Sequence, residues 1–364
     1  MRLAIATETF VPKMDGIVRT LLQLLDYLAS NGHQALVIAA GPGPSRVAGF
    51  EVVRVPGMRF PLYPEITLSP FTPGLARRLR DFRADVVHLA GPCVLGAAVR
   101  RVAARLRLPA AAHYQTDLPR YARHFGYGAL APTMWRYLLS IHNRCARNYA
   151  PTSLIARELE QHGMRRVAVS GRGVDTREFH PSKQNGDSAD LLYVGRVSPE
   201  KNVDWLVEVA DAFPGRHLRI VGDGPARPPL ERRLAGRNVS FTGALHGTDL
   251  AEAYASAKLF VFPSHTETFG QVIQEAMASG LPVVGVARGG AAELIRPGET
   301  GLLAPPDDKH AFVCAIRRLL GDSHSRQRMG RAARAFAEQQ TWQAVFDQLI
   351  DDYHQLANSG GGYD

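Results

Sequence analysis

The sequence predicts an α/β protein built from two doubly wound, parallel sheets. Three observations carry that reading. Short runs rich in Val, Ile, Leu and Ala alternate with segments of helical periodicity along most of the chain. The runs are almost continuously apolar, as expected of strands covered by helices on both faces. One polar stretch without periodicity, DTREFHPSKQNGDSA at 175–189, interrupts the alternation and reads as a linker, with Pro181 and Gly186 inside it. The 364 residues therefore divide into domains at 1–175 and 176–340.

In the first half RLAIAT (2–7), QALVIAA (34–40), EVVRV (51–55), ADVVHLA (84–90) and PAAAHY (109–114) read as strands. Helices are expected at 17–31 and 96–106, and from Pro132 through Arg147, where proline suits a first turn. In the second half DLLYVG (190–195), HLRIVG (217–222), NVSFTG (238–243), LFVFP (259–263) and PVVGVA (282–287) read as strands. Helical stretches fall at 203–213, 228–235, 248–257 and 270–279. Helices at 307–320, 325–339 and 341–357 close the chain, the last expected to pack back on the first domain.

Composition excludes several classes. With 45% hydrophobic and 21% charged residues the chain is neither disordered nor fibrous. Three widely spaced cysteines, Cys93, Cys145 and Cys314, exclude a disulfide framework or zinc ribbon and fit a reducing compartment. No apolar run reaches the roughly 18–20 residues that span a bilayer, and MRLAIATETF reads as a first strand, not a secretory signal. The charge is one-sided. Residues 1–175 hold 23 basic and 11 acidic side chains, net +12, against net −3 for 176–364. Such a field suits an anionic partner, although only 5 of the 43 basic residues are Lys, so Arg-rich composition contributes.

In open α/β sheets ligands bind beyond the carboxyl ends of strands. After 190–195 come Arg196 and Lys201, one a planar fork and one a point charge, a pair suited to a diphosphate. After 259–263 comes SHTETFGQVIQEAMASG, with Glu267 before a helix and Glu275 inside it. A helix starting near Phe269 leaves the amides of Thr268, Phe269, Gly270 and Gln271 free to hold an anion. The two acids are roughly 10–12 Å apart at helical rise. That is too far for the carboxylate pair of a retaining glycosidase, which needs about 5 Å, but it suits a sugar at Glu267 and a ribose at Glu275. In the first domain His113 ends a strand, and Gly16 precedes a helix where a missing Cβ admits a ligand. Taken singly, these patterns also fit solvated loops, helix-surface acids and a core histidine. No G-x-G-x-x-G, P-loop, H-E-x-x-H or Asp-x-Asp occurs. A leaving diphosphate would therefore be held by Arg196, Lys201 and helix amides, with no metal and no cofactor.

E267-TFGQVIQ-E275 resembles the E-x7-E motif of the retaining GT-B glycosyltransferases of family four. GVDTREFHP (173–181), YVGRVSPEKN (193–202), VGDGP (221–225), FTG (241–243) and ASGLPVVG (278–285) resemble further landmarks of that family. ETFVPKMDGIVRT resembles a bacterial subgroup that moves mannose from GDP-mannose, or another sugar from a UDP-sugar, onto lipids; Asp15 stands where Asn is frequent. The resemblance implies two Rossmann-like domains facing across a cleft, the first for acceptor and the second for a nucleotide-sugar donor. It implies that Arg196 and Lys201 neutralise the leaving diphosphate, Glu275 binds ribose, and Glu267 with Thr268–Gln271 binds sugar and phosphate. It also implies that His113 contacts the sugar and that the loop at Gly16 closes over the donor. Retention would follow from same-face attack, the departing phosphate oxygen taking the acceptor proton.

GMRFPLYPEITLSPFTPG (57–74), PRYARHFGYG (119–128) and the basic, aromatic helix after Pro132 suggest a lipid acceptor and an anionic cytoplasmic membrane surface. Nucleic acid is not expected, since no RNA-binding signature accompanies the aromatic and basic residues. A UDP-sugar donor, a soluble acceptor, or an inactive sugar-nucleotide-binding scaffold are the alternatives.

Overall fold

A computed structural model describes residues 1–60, 63–69, 74–115, 119, 127–182, 188–267 and 269–359. The chain forms two compact units, one comprising Met1–Gly171 with Val345–Asp364, the other Arg172–Ala344.

Unit 1 runs β1 (Arg2–Thr7), α1 (Gly16–Ser30), β2 (Gln34–Ala40), β3 (Arg46–Val47), β4 (Phe50–Val55), β5 (Met58–Phe60), β6 (Tyr63–Leu68), α2 (Leu75–Phe82) and β7 (Val86–Ala90). It continues with α3 (Val94–Arg105), β8 (Ala110–His113), α4 (Ala131–His142), β9 (Arg147–Ala150), α5 (Ser153–Gln161) and β10 (Val167–Val169). Its eight-stranded sheet has the order β10-β9-β8-β7-β1-β2-β4-β3 and is parallel except at the β3–β4 edge. Leu3, Ile5, Val37 and Val86 are wholly buried, which explains their unbroken apolar runs. Asp15 caps α1, its carboxylate accepting from the amides of Ile17 and Val18 at 3.0 and 2.9 Å. β5 and β6 form a separate antiparallel pair, consistent with prolines that exclude an interior strand.

Unit 2 runs β11 (Ala189–Val194), α6 (Trp205–Ala212), β12 (Leu218–Val221), α7 (Arg227–Leu234), β13 (Val239–Gly243), α8 (Gly247–Ala255) and β14 (Ala257–Phe262). Then follow α9 (Gln271–Ala278), β15 (Val283–Val286), α10 (Gly289–Leu294), β16 (Gly301–Ala304), α11 (Lys309–Gly321) and α12 (Ser323–Glu338). Its six strands are all parallel, in the order β13-β12-β11-β14-β15-β16, around buried Leu192, Tyr193, Phe260 and Phe262. The last helix, α13 (Trp342–Asn358), has its buried face in unit 1 from Phe346 onward, with Leu349, Ile350, Tyr353 and Leu356. There the Tyr353 hydroxyl lies 2.7 Å from His88 Nδ1 and 2.8 Å from His113 Nε2.

The structure corrects one helix. The segment expected to stay helical through Arg147 ends at His142, and Arg147 opens β9. Side chains terminate it. Asn143 donates to the Gly163 carbonyl and accepts from the Arg165 amide, while Asn148 Oδ1 accepts from His142 Nδ1 at 2.8 Å. The stretch read as a linker is partly structured: Phe179 is buried, and Arg334 donates to the carbonyls of Thr176, Phe179 and Ala278. Residues 183–187 lie outside the described residues. With the acidic end of the chain included, unit 1 holds 22 basic and 14 acidic side chains, net +8, and unit 2 is net +1.

Candidate functional site

Unit 2 carries a cavity of about 190 Å³ beyond the carboxyl ends of the neighbouring strands β11 and β14. Gly195 lines it, and Gly222 at the end of the neighbouring strand packs against Gly195. Gly222 has φ +133°, and a Cβ there would sit 1.9 Å from the Gly195 carbonyl oxygen, so the strand ends approach only because that atom is missing. The Tyr193 hydroxyl donates to the Arg196 carbonyl at 2.9 Å and fixes the turn that presents Arg196. A 3-10 turn, Pro199–Lys201, then brings the Lys201 ammonium to Glu267 Oε1, an ion pair whose side chains are only 18% and 21% exposed.

Two further bonds tie the loops together. Asn202 Nδ2 donates to the Pro263 carbonyl at 3.1 Å, and Thr266 Oγ1 to the Glu200 carbonyl at 3.0 Å. Beyond Glu267 the chain turns through Gly270, at φ +95°, into α9. Gly290 supports that turn: its amide donates to the Glu267 carbonyl at 2.9 Å, and a Cβ would fall 1.9 Å from the Phe269 carbonyl oxygen.

The cavity thus gathers Arg196, Lys201, Glu267, Phe269, Gly270 and Gln271. Arg172 also lines it, its guanidinium 5.9 Å from the Phe269 ring centroid, and sequence reasoning did not single it out. The signal was present in GRGVD, a cation just before the GVD segment. Three cations against one carboxylate, with the amide end of α9 beside them, make a site for an anion. Gln271 reaches back through Nε2 to the Gly173 carbonyl at 3.0 Å, so its side chain braces the cavity wall.

Glu275 lies deeper, 9% exposed, accepting from the Tyr254 hydroxyl at 2.9 Å, and is not among the cavity-lining groups. Burial, then the Glu275 charge, pushes the Tyr254 hydroxyl well above its ordinary range, so it stays a donor. Thr268 lies outside the described residues.

His113 and Gly16 belong to unit 1. Gly16 is the first residue of α1. His113 ends β8, 8% exposed, stacked between His88 and Tyr149 with ring centroids at 4.2 and 4.6 Å. Burial and the neighbouring His88 lower its pKa strongly, so it is neutral. The segments 70–73 and 120–126, which carry much of the expected acceptor loops, lie outside the described residues. Among the described residues no three His, Cys, Asp or Glu side chains gather as a metal site, and no helix is long and apolar enough to cross a membrane.

Residues 14–178 match Glycosyltransferase Family 4, and residues 174–336 match Glycosyl transferases group 1. The GDP-mannose-dependent alpha-mannosyltransferase of Mycobacterium tuberculosis is 39% identical over 98% of this chain and 97% of that protein. The protein of the same name from Corynebacterium glutamicum is 38% identical over 97% and 88%. A sulfoquinovosyl transferase of Arabidopsis thaliana is 30% identical over 94% and 71%. Among solved structures, sucrose-phosphate synthase from Thermosynechococcus elongatus superposes with a TM-score of 0.79 at 22% identity, covering 98% of this chain and 99% of that one. The chain belongs to glycosyltransferase family 4 and has the two parallel-sheet α/β domains of the GT-B glycosyltransferases.

Proposed function

We propose that the chain transfers mannose from GDP-mannose to a hydroxyl on a lipid or glycolipid, with retention and without a metal ion. The carrying observation is the cavity that brings Arg196, Lys201 and Arg172 around Glu267 at the start of α9. The choice of donor rests on the two relatives named GDP-mannose-dependent alpha-mannosyltransferases.

Glycosyl transfer breaks the bond between the anomeric carbon and a phosphate oxygen and leaves a diphosphate with added charge. Arg196 and Lys201 stabilise that charge as it develops, which lowers the barrier rather than only binding substrate. Glu267, oriented by Lys201, accepts hydrogen bonds from the sugar, and the amides of Phe269 to Gln271 hold its phosphate. Glu275 takes the ribose. The phosphate oxygen that leaves takes the proton of the attacking hydroxyl on the same face, so an α-linked donor yields an α-linked product.

The lipid acceptor is supported by the net charge of +8 on unit 1 and by exposed Tyr127, Leu130 and Tyr137 on and beside α4. Basic charge with exposed apolar and aromatic side chains suits an anionic bilayer surface.

The test compares GDP with UDP by thermal shift, then measures product from GDP-mannose with and without EDTA. GDP is expected to stabilise at least tenfold more tightly than UDP, and EDTA to leave the rate unchanged. Preference for UDP overturns the donor, and loss of activity restored by Mn²⁺ overturns the metal-free route. Co-sedimentation with phosphatidylglycerol vesicles that weakens in high salt supports the membrane reading; none at low salt refutes it.

A further inference from the structure

The carboxyl edge of the unit 1 sheet holds a carboxylate that the fold leaves half used. Thr7 pairs with Ala90, and Ala90 with His113, so the residues just beyond β1, β7 and β8 are neighbours on one edge. Glu8, the first residue after β1, is 7% exposed. Its Oε1 accepts from the amides of Cys93 and Gly96, both at 3.0 Å, at the start of α3. Its Oε2 is buried without a partner, and no cation pairs with it among the described residues. Thr9 Oγ1 and Gln115 Oε1, on the same edge, are also buried without partners.

A buried carboxylate oxygen with no donor is costly. What relieves it is an O–H or N–H group arriving with a ligand, at the edge where open parallel sheets bind ligands. An acid with no cation repels a nucleotide phosphate, so this edge does not suit the charged half of a donor. It suits hydroxyls.

We propose that Glu8 is an acceptor-binding residue, its free Oε2 accepting a hydroxyl of a lipid-borne sugar or polyol headgroup, with Thr9 and Gln115 beside it. This rests on the glycosyl-transfer reading and names the residue that orients the acceptor. Burial, working against the amides of Gly96, Cys93 and Leu95, raises the Glu8 carboxyl to about 7. The ionised form is the better acceptor, so headgroup binding weakens below that pH.

Its titratable neighbours do not mimic the effect. Burial and then Glu8 push the Cys93 thiol up to about 11. Burial, then Cys93 and Glu8, raise the Tyr137 hydroxyl above its ordinary value. In the loop before α1, Lys13 lies 3.7 Å from Asp15. His113 remains neutral.

The test uses the full chain, GDP-mannose, and sonicated vesicles of Corynebacterium glutamicum total lipid. Mannosyl transfer to lipid is followed beside GDP-mannose hydrolysis in lipid-free buffer, for the wild type, Glu8→Gln and Thr9→Val. Glu8→Gln is expected to raise the lipid KM tenfold or more, with donor KM and hydrolysis within twofold. The wild-type lipid KM is expected to rise as pH falls through about 7, a transition absent in Glu8→Gln. An unchanged lipid KM, or an equal loss of hydrolysis, overturns the proposal. If Glu8→Gln does not fold, a wild-type lipid KM flat from pH 6 to 8.5, or a Thr9→Val lipid KM equal to wild type, does the same. Hydrolysis without transfer to lipid refutes the lipid source. No consumption of GDP-mannose by the wild type refutes the donor reading, and the Glu8 assignment falls with it.

Discussion

Replacing Lys201 by Ala tests the electrostatic account most directly. Lys201 and Glu267 form an ion pair in the cavity wall with side chains 18% and 21% exposed, so water screens their field only in part. Two unit charges about 4 Å apart at an effective dielectric of about 20 interact by about 4 kcal/mol. Partial exposure reduces that to about 3–4 kcal/mol, or a factor of about 10²–10³ in rate. The variant also leaves Glu267 uncompensated beside a departing anion, which pushes in the same direction. The expected result is a kcat lowered about 10²–10³-fold, read as initial GDP release at saturating GDP-mannose, with a smaller change in donor KM. A double variant, Lys201→Met with Glu267→Gln, compared with Glu267→Gln alone, separates two roles. If Lys201 serves only to neutralise Glu267, the double variant matches the Glu267→Gln variant. If Lys201 meets the leaving diphosphate, it is slower than that variant. A kcat within threefold of wild type for Lys201→Ala, or a double variant no slower than Glu267→Gln, refutes the reasoning.

Glu275→Gln keeps the Tyr254 hydrogen bond but removes the charge, and it is expected to raise the GDP-mannose KM about tenfold with kcat little changed; a kcat effect without a KM effect argues against a ribose contact. Gly222→Ala forces a Cβ against the Gly195 carbonyl oxygen at positive φ, with an expected loss of about 2–4 kcal/mol, seen as a lowered Tm; an unchanged Tm shows that the strand ends can yield. Burial lowers the pKa of His88 to about 3 and of His142 to about 4. The unfolded imidazoles bind protons near pH 6.5 and the folded ones do not, so stability present above 6.5 is lost as pH falls toward 4, by about 3 kcal/mol for His142. Glu8 runs the other way, its stabilisation lost as pH rises through about 7. Urea melts of Glu8→Gln should therefore show the histidine limb alone, falling steadily from pH 7 to 5; a flat limb contradicts the buried, neutral histidines.

The core strands were legible because both their faces are covered, so that runs such as those at Ile5, Val37, Leu192 and Phe260 carry no polar interruption. The elements that escaped are short or polar. β9 holds Arg147 and Asn148, β10 is three residues, and α10 opens on two glycines. The false extension of α4 shows the limit of periodicity. Asn143 and Asn148 end that helix through partners near residue 165, contacts that no local window contains. At the candidate site, the gathering of Arg196, Lys201 and Glu267 around one cavity was legible because each follows a strand end closely. Glu275, singled out by spacing, lies outside the cavity lining and bonds to Tyr254, 21 residues away, a partner that no local window contains. Glu8 was invisible because a lone acid after a first strand reads as a surface residue until its burial is known.

The return of α13 to unit 1 bears on how the polypeptide is made. A ribosome releases residues 172–344 as one uninterrupted stretch with every strand of its own sheet, so that half can fold while synthesis continues. The other half must wait. Until the final segment emerges, His88 and His113 lack the phenol that joins them, and the Tyr27 ring of α1 lacks Phe346 against it. A fragment ending at Gly171 should accordingly be soluble only when supplied with residues 345–359 as a separate peptide, whereas 172–344 should fold unaided.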